Sequence, residues 1–323
     1  MRIVSEPLVY LNDQFVPASQ ARLPIYDAGF VLGATVTEQT RTFHHRPYRL
    51  DDHLDRFFRA LHTTRIDIGR PRGELVQIAN TLIANNAPPL DRADELGLIY
   101  FATPGEYATY APGPVRSTPT FCVHTFVLPF EQWAAKLQGG AHLITPSIRH
   151  VPPQCVDPNM KCRSRMHFYL AEKEAQLEDA EASALLLDLD GYIAETNAAN
   201  FLMVQRETLI SPTTRNTLPG ISRMTVSELA AELGIVFVER DIQAFEAINA
   251  EEAFLSSTPY CLMPVTRING RTIADGRPGP IYRRLLGAWS RRVGLDIERQ
   301  IIEGAARRVA ARESNATSQT TTR

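Results

Sequence analysis

The chain has 323 residues, 44% of them apolar, and a formal net charge of −2. That composition supports a sizeable core in one large or two ordinary domains, and its interspersed charges argue against a nucleic-acid footprint or a membrane-surface patch. No long apolar run or leader-like start is evident, and Cys122, Cys155, Cys162 and Cys261 lie far apart without metal-ligand spacing, so free thiols in a reducing cytoplasm and small-molecule chemistry are the expectation, with no metal.

In chain order, Leu8 to Phe15 turns at Asn12-Asp13 and predicts a hairpin, followed by a strand over Thr35 to Phe43. Leu50, Leu54, Phe57, Phe58 and Leu61 recur at helical spacing, with Asp51 or Asp52 suited to cap the start. A second helix over Glu74 to Asn85 and strands over Leu96 to Ala102 and Thr120 to Leu128 complete a first α+β domain, residues 1–130. The stretch 131–139 reads as the interdomain connection. The larger second domain, 140–306, is richer in strands. Ser183 to Asp188 and Tyr192 to Thr196 flank Asp190-Gly191 as a hairpin, and Asn200 to Val204 with Thr208 to Ser211 reads as another. After Leu218-Pro219-Gly220 a helix runs from Ser222 to Leu233 and stops at Gly234. Residues 307–323 decay into Ser, Thr, Asn and Ala with charge and read as a disordered tail.

Three lysines, Lys136, Lys161 and Lys173, stand against thirty-one arginines. A desolvated lysine amine can lose its proton and attack a carbonyl, whereas arginine keeps its proton, so a Schiff-base site requires lysine. Arginine-rich codon bias explains Lys136 and Lys173; Lys161 is set apart by its place between a proline-rich loop and a helical stretch. A cofactor with an aldehyde, a ring nitrogen and a phosphate needs an amine, an acid and an anion cradle. Lys161 offers the amine and Glu195, at a strand end, the acid; Asn197 and Asn200 nearby supply turn chemistry. Gly220-Ile221-Ser222 opens a helix whose first amides are donors at the positive end of its dipole. Ser256-Ser257-Thr258 adds a second cluster of hydroxyls and amides, and Arg56 a guanidinium suited to a phosphate. Each fragment alone also has a bland reading: a turn, a cap, a loop or a surface arginine.

Taken in order, the fragments resemble the class IV aminotransferases, fold type IV pyridoxal-phosphate enzymes that include branched-chain and D-amino-acid aminotransferases and aminodeoxychorismate lyase. The landmarks are Asp27-Ala28-Gly29-Phe30 with Gly33 to Glu38, His53-Leu54-Asp55-Arg56, Lys161 with Tyr169 to Ala175, Glu195 to Phe201, Leu218 to Arg223, and Ser256 to Val265. The resemblance implies an α+β fold of two domains, a smaller α/β sandwich-like N-terminal domain and a larger C-terminal pseudo-barrel domain. It makes Lys161 the Schiff-base lysine and proton carrier, Glu195 the partner of the pyridine nitrogen, and Arg56, Ile221, Ser222 and Thr258 phosphate ligands. Leu218 packs under the ring, with Asn200, Gly220 and Ser257 among the cofactor-site residues. It further implies a homodimer, with the cofactor in a cleft between the domains and a loop from the partner closing the site.

The substrate is less legible. The tyrosine of D-amino-acid aminotransferases aligns with Phe30, and Thr103 to Tyr110 holds neither the arginine nor the histidine of their carboxylate device. Glu38 and Arg41 match the branched-chain pattern, but Thr37 replaces an aromatic pocket residue, Gly97 an arginine, and Met166 the tyrosine five residues after the lysine. Arg41, Arg149, Arg163 and Arg165 are the candidate cations for a substrate carboxylate, although helical spacing after Lys161 would turn Arg163 and Arg165 to solvent. Phe30, Leu32 and Tyr107 suit an apolar substrate group or plain core packing. The leading expectation is ping-pong transfer from an apolar, branched-chain-like amino acid to a 2-oxo acid such as 2-oxoglutarate. R-selective amine or D-amino-acid transaminases and aminodeoxychorismate lyase are the alternatives on the same scaffold.

Overall fold

The computed structural model describes residues 6–115 and 118–320. The chain divides into two compact units, Met1–Leu128 with Asn159–Arg165, and Pro129–Pro158 with Met166–Arg323. The short excursion 159–165 carries Lys161 into the first unit, whereas the expected boundaries put it in the second. Backbone pairing with an N-terminal strand decides its membership, a contact between residues more than a hundred positions apart.

In the first unit, β1 (Leu8–Leu11) and β2 (Gln14–Pro17) form the expected hairpin, with Asn12 and Asp13 both at positive φ. A one-turn helix α1 (Ala28–Val31) follows, then β3 (Val36–Phe43) and the short β4 (Arg46–Pro47). Next come α2 (Leu50–Thr64), α3 (Arg72–Asn86), β5 (Leu96–Thr103) and β6 (Thr120–Val127). The sheet order is β2-β1-β6-β5-β3-β4, with antiparallel neighbours throughout. Alternation along the strands sends Val36, Leu98, Tyr100, Ala102, Phe121 and Val123 to one face, where they pack with Leu54, Phe57 and Leu61 of α2 and Leu75 and Leu82 of α3. The start of α2 differs from expectation. Its N-cap is Arg49 in the left-handed region (φ 52°), and no side chain caps it; Asp51 and Asp52 sit in the first turn, where Asp52 accepts from Arg49 Nε at 2.7 Å.

The second unit begins with α4 (Phe130–Gly139), so residues 131–139 are a helix of this unit and not a bare connection. It continues through β7 (Ala141–Ile144), α5 (Met166–Glu178), β8 (Ser183–Leu187), β9 (Ile193–Thr196), β10 (Asn200–Gln205) and β11 (Thr208–Ser211). After α6 (Ile221–Glu232) come β12 (Phe237–Glu239), α7 (Ala244–Ile248), β13 (Glu252–Ser257), β14 (Cys261–Ile268), β15 (Arg271–Thr272), α8 (Pro280–Val293) and α9 (Ile297–Thr320). The sheet runs β12-β11-β10-β13-β14-β7-β8-β9, and β9 pairs back onto β10. Six strands, β10, β13, β14, β7, β8 and β9, therefore close a barrel, and β11 and β12 extend from it. The closing seam is one residue pair, Glu195 with Asn200.

Both hairpins expected in this unit are present. In the first only Gly191 of Asp190-Gly191 takes positive φ (86°); in the second Arg206 and Glu207 both do, at 50° and 59°. The expected tail 307–323 is helical to Thr320 as part of α9, and residues 321–323 lie outside the described residues. Four contacts with α4 account for that order. Arg308 and Arg312 donate to Glu131 of α4 at 2.9 and 2.8 Å, the Arg308 guanidinium lies over the Phe130 ring at 5.1 Å, and Gly304 approaches Phe130 closely enough that a Cβ would stand 2.4 Å from it. Among the described residues no helix is long and apolar enough to cross a membrane.

Candidate active site

In the first unit the residues around Lys161 lie along the β3 edge. Thr37 N donates to Lys161 O and Arg163 N to Thr35 O, each at 2.9 Å, bracketing an antiparallel bridge between Val36 and Cys162. Ser164 Oγ adds a bond to Gly33 O at 2.8 Å. Lys161 is thus pinned in extended backbone ahead of α5, and Cys162 is half-buried beside it.

Arg56 of α2 is 4% exposed and Glu38 of β3 fully buried. Arg56 donates from Nε to Glu38 Oε2 at 2.8 Å and from Nη2 to Oε1 at 2.7 Å, and His53 Nδ1 lies 3.0 Å from Oε1. Burial alone would raise the Glu38 pKa, but the Arg56 charge and the hydrogen bonds from His53 and Arg56 hold it well below the carboxylate range. His53 is pushed below the histidine range by burial, against the pull of Glu38 and with the Arg56 and Lys161 charges assisting. A neutral His53 donating from Nδ1 to an ionised Glu38 is the state these effects favour. The sequence marked Arg56 and Glu38 as separate landmarks and missed their pairing; the His53-x-x-Arg56 spacing, which puts both on one helical face, was the available signal.

In the second unit the barrel seam organises the rest. Glu195, Asn200 and Ser256 stand in register across β9, β10 and β13, so their side chains share one face. Asn200 Nδ2 donates to Glu195 Oε2 at 3.0 Å and to Leu218 O at 2.9 Å, and Leu218 N lies 3.3 Å from the same Oε2. His150 Nε2 stands 3.6 Å from Glu195 Oε1. Gly220 follows directly, where a Cβ would fall 2.1 Å from Asn200 Oδ1 and force Asn200 off its bonds to Glu195 and Leu218. It is the N-cap of α6, and no side chain caps that helix, which leaves the amides of Ile221 and Ser222 as donors at the end of a twelve-residue helix. Ser222 is buried, Leu218 and Thr258 are half-buried, and Ser257 Oγ donates to Ala198 O at 2.6 Å. The hydroxyl of Ser256, 2% exposed, has no hydrogen-bond partner among the described residues.

These residues fit a phosphorylated pyridine cofactor. A pyridinium nitrogen needs a carboxylate as its partner, and Glu195 is a carboxylate whose Oε2 is fixed in place by Asn200 Nδ2 and Leu218 N. A phosphate needs donors, and the uncapped α6 and the orphaned Ser256 hydroxyl provide them. The structure brings Glu195, Asn200, Leu218 and Gly220 together in one unit, and Lys161, Arg56, Glu38 and His53 in the other.

The substrate candidates fare unevenly. Arg41 is 1% exposed, donates from Nε to Thr42 O at 3.1 Å and lies over the Phe43 ring at 3.9 Å, so it is an internal residue and not a free cation for a substrate. Thr37 is buried, with its hydroxyl on Tyr100 O at 3.0 Å. Phe30 and Leu32 are 80% and 58% exposed, which excludes core packing, and Tyr107 is half-buried against the Tyr110 ring. Arg149 donates to Pro146 O at 2.9 Å. Arg163 and Arg165 lie before α5, which begins at Met166, so helical spacing does not govern them. The Asp27-Ala28-Gly29 landmark is structural: Asp27 accepts from Gly29 N at 2.7 Å and from the Thr103 and Thr120 hydroxyls at 3.0 and 2.6 Å.

The model of the amino-transferase class IV family matches residues 35–268, which include Lys161, Glu195 and Gly220. The chain belongs to the class IV aminotransferases. It is 30% identical over 285 residues to branched-chain-amino-acid aminotransferase-like protein 1 of Arabidopsis thaliana, covering 88% of this chain and 50% of that protein. It is 27% identical over 278 residues to a D-alanine aminotransferase of Bacillus licheniformis, covering 86% and 94%. The chain spans about half the length of the two plant relatives it matches. Among solved structures, the T.th. branched-chain amino acid aminotransferase complexed with N-(5'-phosphopyridoxyl)-L-glutamate is similar at 25% identity and a TM-score of 0.78, covering 93% of this chain and 97% of that one. The class IV likeness extends to both expected architectures, the sandwich-like first unit and the closed barrel of the second.

Proposed function

We propose that this chain is a pyridoxal-phosphate-dependent aminotransferase that passes an amino group from an apolar, branched-chain-like amino acid to a 2-oxo acid such as 2-oxoglutarate. The observation that carries the reading is Lys161, an amine held by its backbone on β3 within the matched family span. Class IV aminotransferases use pyridoxal 5'-phosphate. When bound, that group draws electrons from the substrate's α-carbon into its ring and makes the proton there removable.

Every other part of the chemistry falls to side chains of the chain. Lys161 Nζ would hold the cofactor covalently and, once displaced by the incoming amine, move the proton from the substrate's α-carbon to the cofactor carbon that receives the amino group. Glu195, oriented by Asn200 and the Leu218 amide, would keep the ring nitrogen protonated. Arg56, the Ile221 and Ser222 amides and the Ser257-Thr258 segment would hold the phosphate, and Leu218 would support the ring. The keto product leaves before the acceptor enters, so donor and acceptor use the same residues in turn.

Two further expectations accompany this reading: a homodimer, supported by the exposed Ile25, Phe30 and Leu32, and a cytoplasmic location, supported by four free cysteines. The test is a donor panel of L-leucine, L-valine, D-alanine and R-1-phenylethylamine with 2-oxoglutarate, with parallel initial-rate lines expected and L-leucine fastest. Intersecting lines would exclude the scheme. D-alanine as the fastest donor would move the chain to the D-amino-acid reading, which the Bacillus licheniformis relative supports and the absence of arginine and histidine from Thr103 to Tyr110 opposes. Pyruvate released from aminodeoxychorismate without an acceptor would make it a lyase.

A further inference from the structure

An α-amino acid brings a carboxylate as well as an amine, and a carboxylate removed from water needs a cation or strong donors. Arg41 lies inside the first unit and Arg149 is engaged by backbone carbonyls. Arg163 differs from both. The hydrogen bonds of Lys161 and Arg163 to Thr37 and Thr35 bracket the Val36 and Cys162 pair, and side chains alternate along such a rung. Met160 and Val36 belong to the core beneath α2 and α3. The Lys161 and Arg163 side chains therefore leave the backbone on the side of Thr37, at the open edge of β3, from which the Lys161 charge still reaches His53.

The strand register aligns Thr37, Phe101 and Cys122 on that side, with Gln39, Ile99 and His124 in the next row. His124 is held below the usual histidine range by burial and by the Arg163 charge, although a backbone hydrogen bond at Thr125 opposes this, so the guanidinium and His124 share that side. Arg163 is exposed at its outer surface and has no ion pair or side-chain hydrogen bond among the described residues. The atoms around it, and then the like charge of Arg165, push its pKa below the ordinary arginine value, a cost that an anion would relieve. Residues two apart on a strand are separated by about 6.6 Å, a span over which the lysine and arginine side chains can converge on the amine and carboxylate of one α-carbon.

We propose that Arg163 is the specificity-determining cation of this site: it binds the carboxylate of an α-amino acid whose nitrogen meets Lys161, and so selects amino acids over plain amines. The inference rests on the transaminase reading. The experiment uses the holoenzyme as wild type, Arg163→Gln and Arg163→Lys. Calorimetric titration with 4-methylpentanoate, the leucine skeleton without its amine, reads carboxylate binding without turnover. Half-reactions with leucine, in whichever enantiomer the wild type accepts, and with 3-methylbutylamine read selectivity.

Arg163→Gln should weaken 4-methylpentanoate and lower the kcat/KM ratio of leucine to amine by roughly 10- to 100-fold, as loss of a charged hydrogen bond implies; Arg163→Lys should recover part of both. Unchanged carboxylate affinity, or an equal loss for leucine and the amine, overturns the assignment while the transaminase reading stands. So does a wild type that prefers the amine. A wild-type holoenzyme that transfers from neither donor overturns the transaminase reading and the assignment with it.

Discussion

Lys161 was legible as a residue because the amine chemistry proposed for it cannot be supplied by any of the thirty-one arginines of the chain. Lys161→Arg should therefore abolish transamination and the near-visible absorbance of the bound cofactor; retention of that absorbance would reassign the amine. Glu195→Gln keeps a similar shape but removes the charge that would hold a proton on the ring nitrogen. A fall in kcat of about 100-fold or more is expected, of the size seen when a proton is misplaced, with thermal stability little changed. What the sequence did not disclose is that Glu38 takes Arg56 on one edge of its guanidinium. Removing one member of a buried pair leaves the other charged and unpaired, so Glu38→Gln should cost about 3 to 5 kcal/mol of stability, read by urea unfolding at neutral pH. It should also weaken pyridoxal phosphate more than pyridoxal, because the side chain disturbed is the one assigned to the phosphate.

The same pair sets a pH dependence. Glu38 and His53 both have folded pKa values below their ordinary ones, 4.5 and 6.5, so each binds its proton more readily in the unfolded chain. Stability is complete above those values and falls as pH drops, first below 6.5 through His53 and then below 4.5 through Glu38. His53→Gln should flatten the first part of the curve. A wild-type curve level from about pH 7 to 5 would contradict the buried neutral histidine.

At the scale of elements, the barrel seam and α9 departed furthest from the reading by periodicity. A one-pair junction between β9 and β10 carries no repeating pattern, yet it sets Glu195 beside Asn200 and, through Asn200, holds Leu218. Gly220→Ala would drive a Cβ into Asn200 and should weaken cofactor binding and lower Tm together. The C-terminal segment looked disordered because its own composition is polar, but α4 supplies Phe130 and Glu131 from far away in sequence. Deleting 307–323 should destabilise the second unit by roughly 1 to 2 kcal/mol, since surface pairs contribute little but the arginine over Phe130 adds to them; an unchanged melting temperature would restore the tail as dispensable.

For the whole molecule, six weak fragments gained force from their order along the chain, an order that the match to the class IV family over residues 35–268 bears out. The α+β architecture and the candidacy of Lys161, Glu195 and the glycine before α6 were legible in the sequence, since each depends on local chemistry or on a pattern a few residues long. Tertiary structure decided the rest. It moved Lys161 onto the edge of β3, gave Arg56 to Glu38, closed the barrel at Asn200 and buried Arg41 while leaving Arg163 open beside the lysine. Those outcomes depend on which backbone edge a segment meets and which side of a sheet it then faces, and a one-residue change of phase would reverse them. The arginines belong to that second class: the chain names them, but only the fold decides that Arg41 is buried and that Arg163 is exposed.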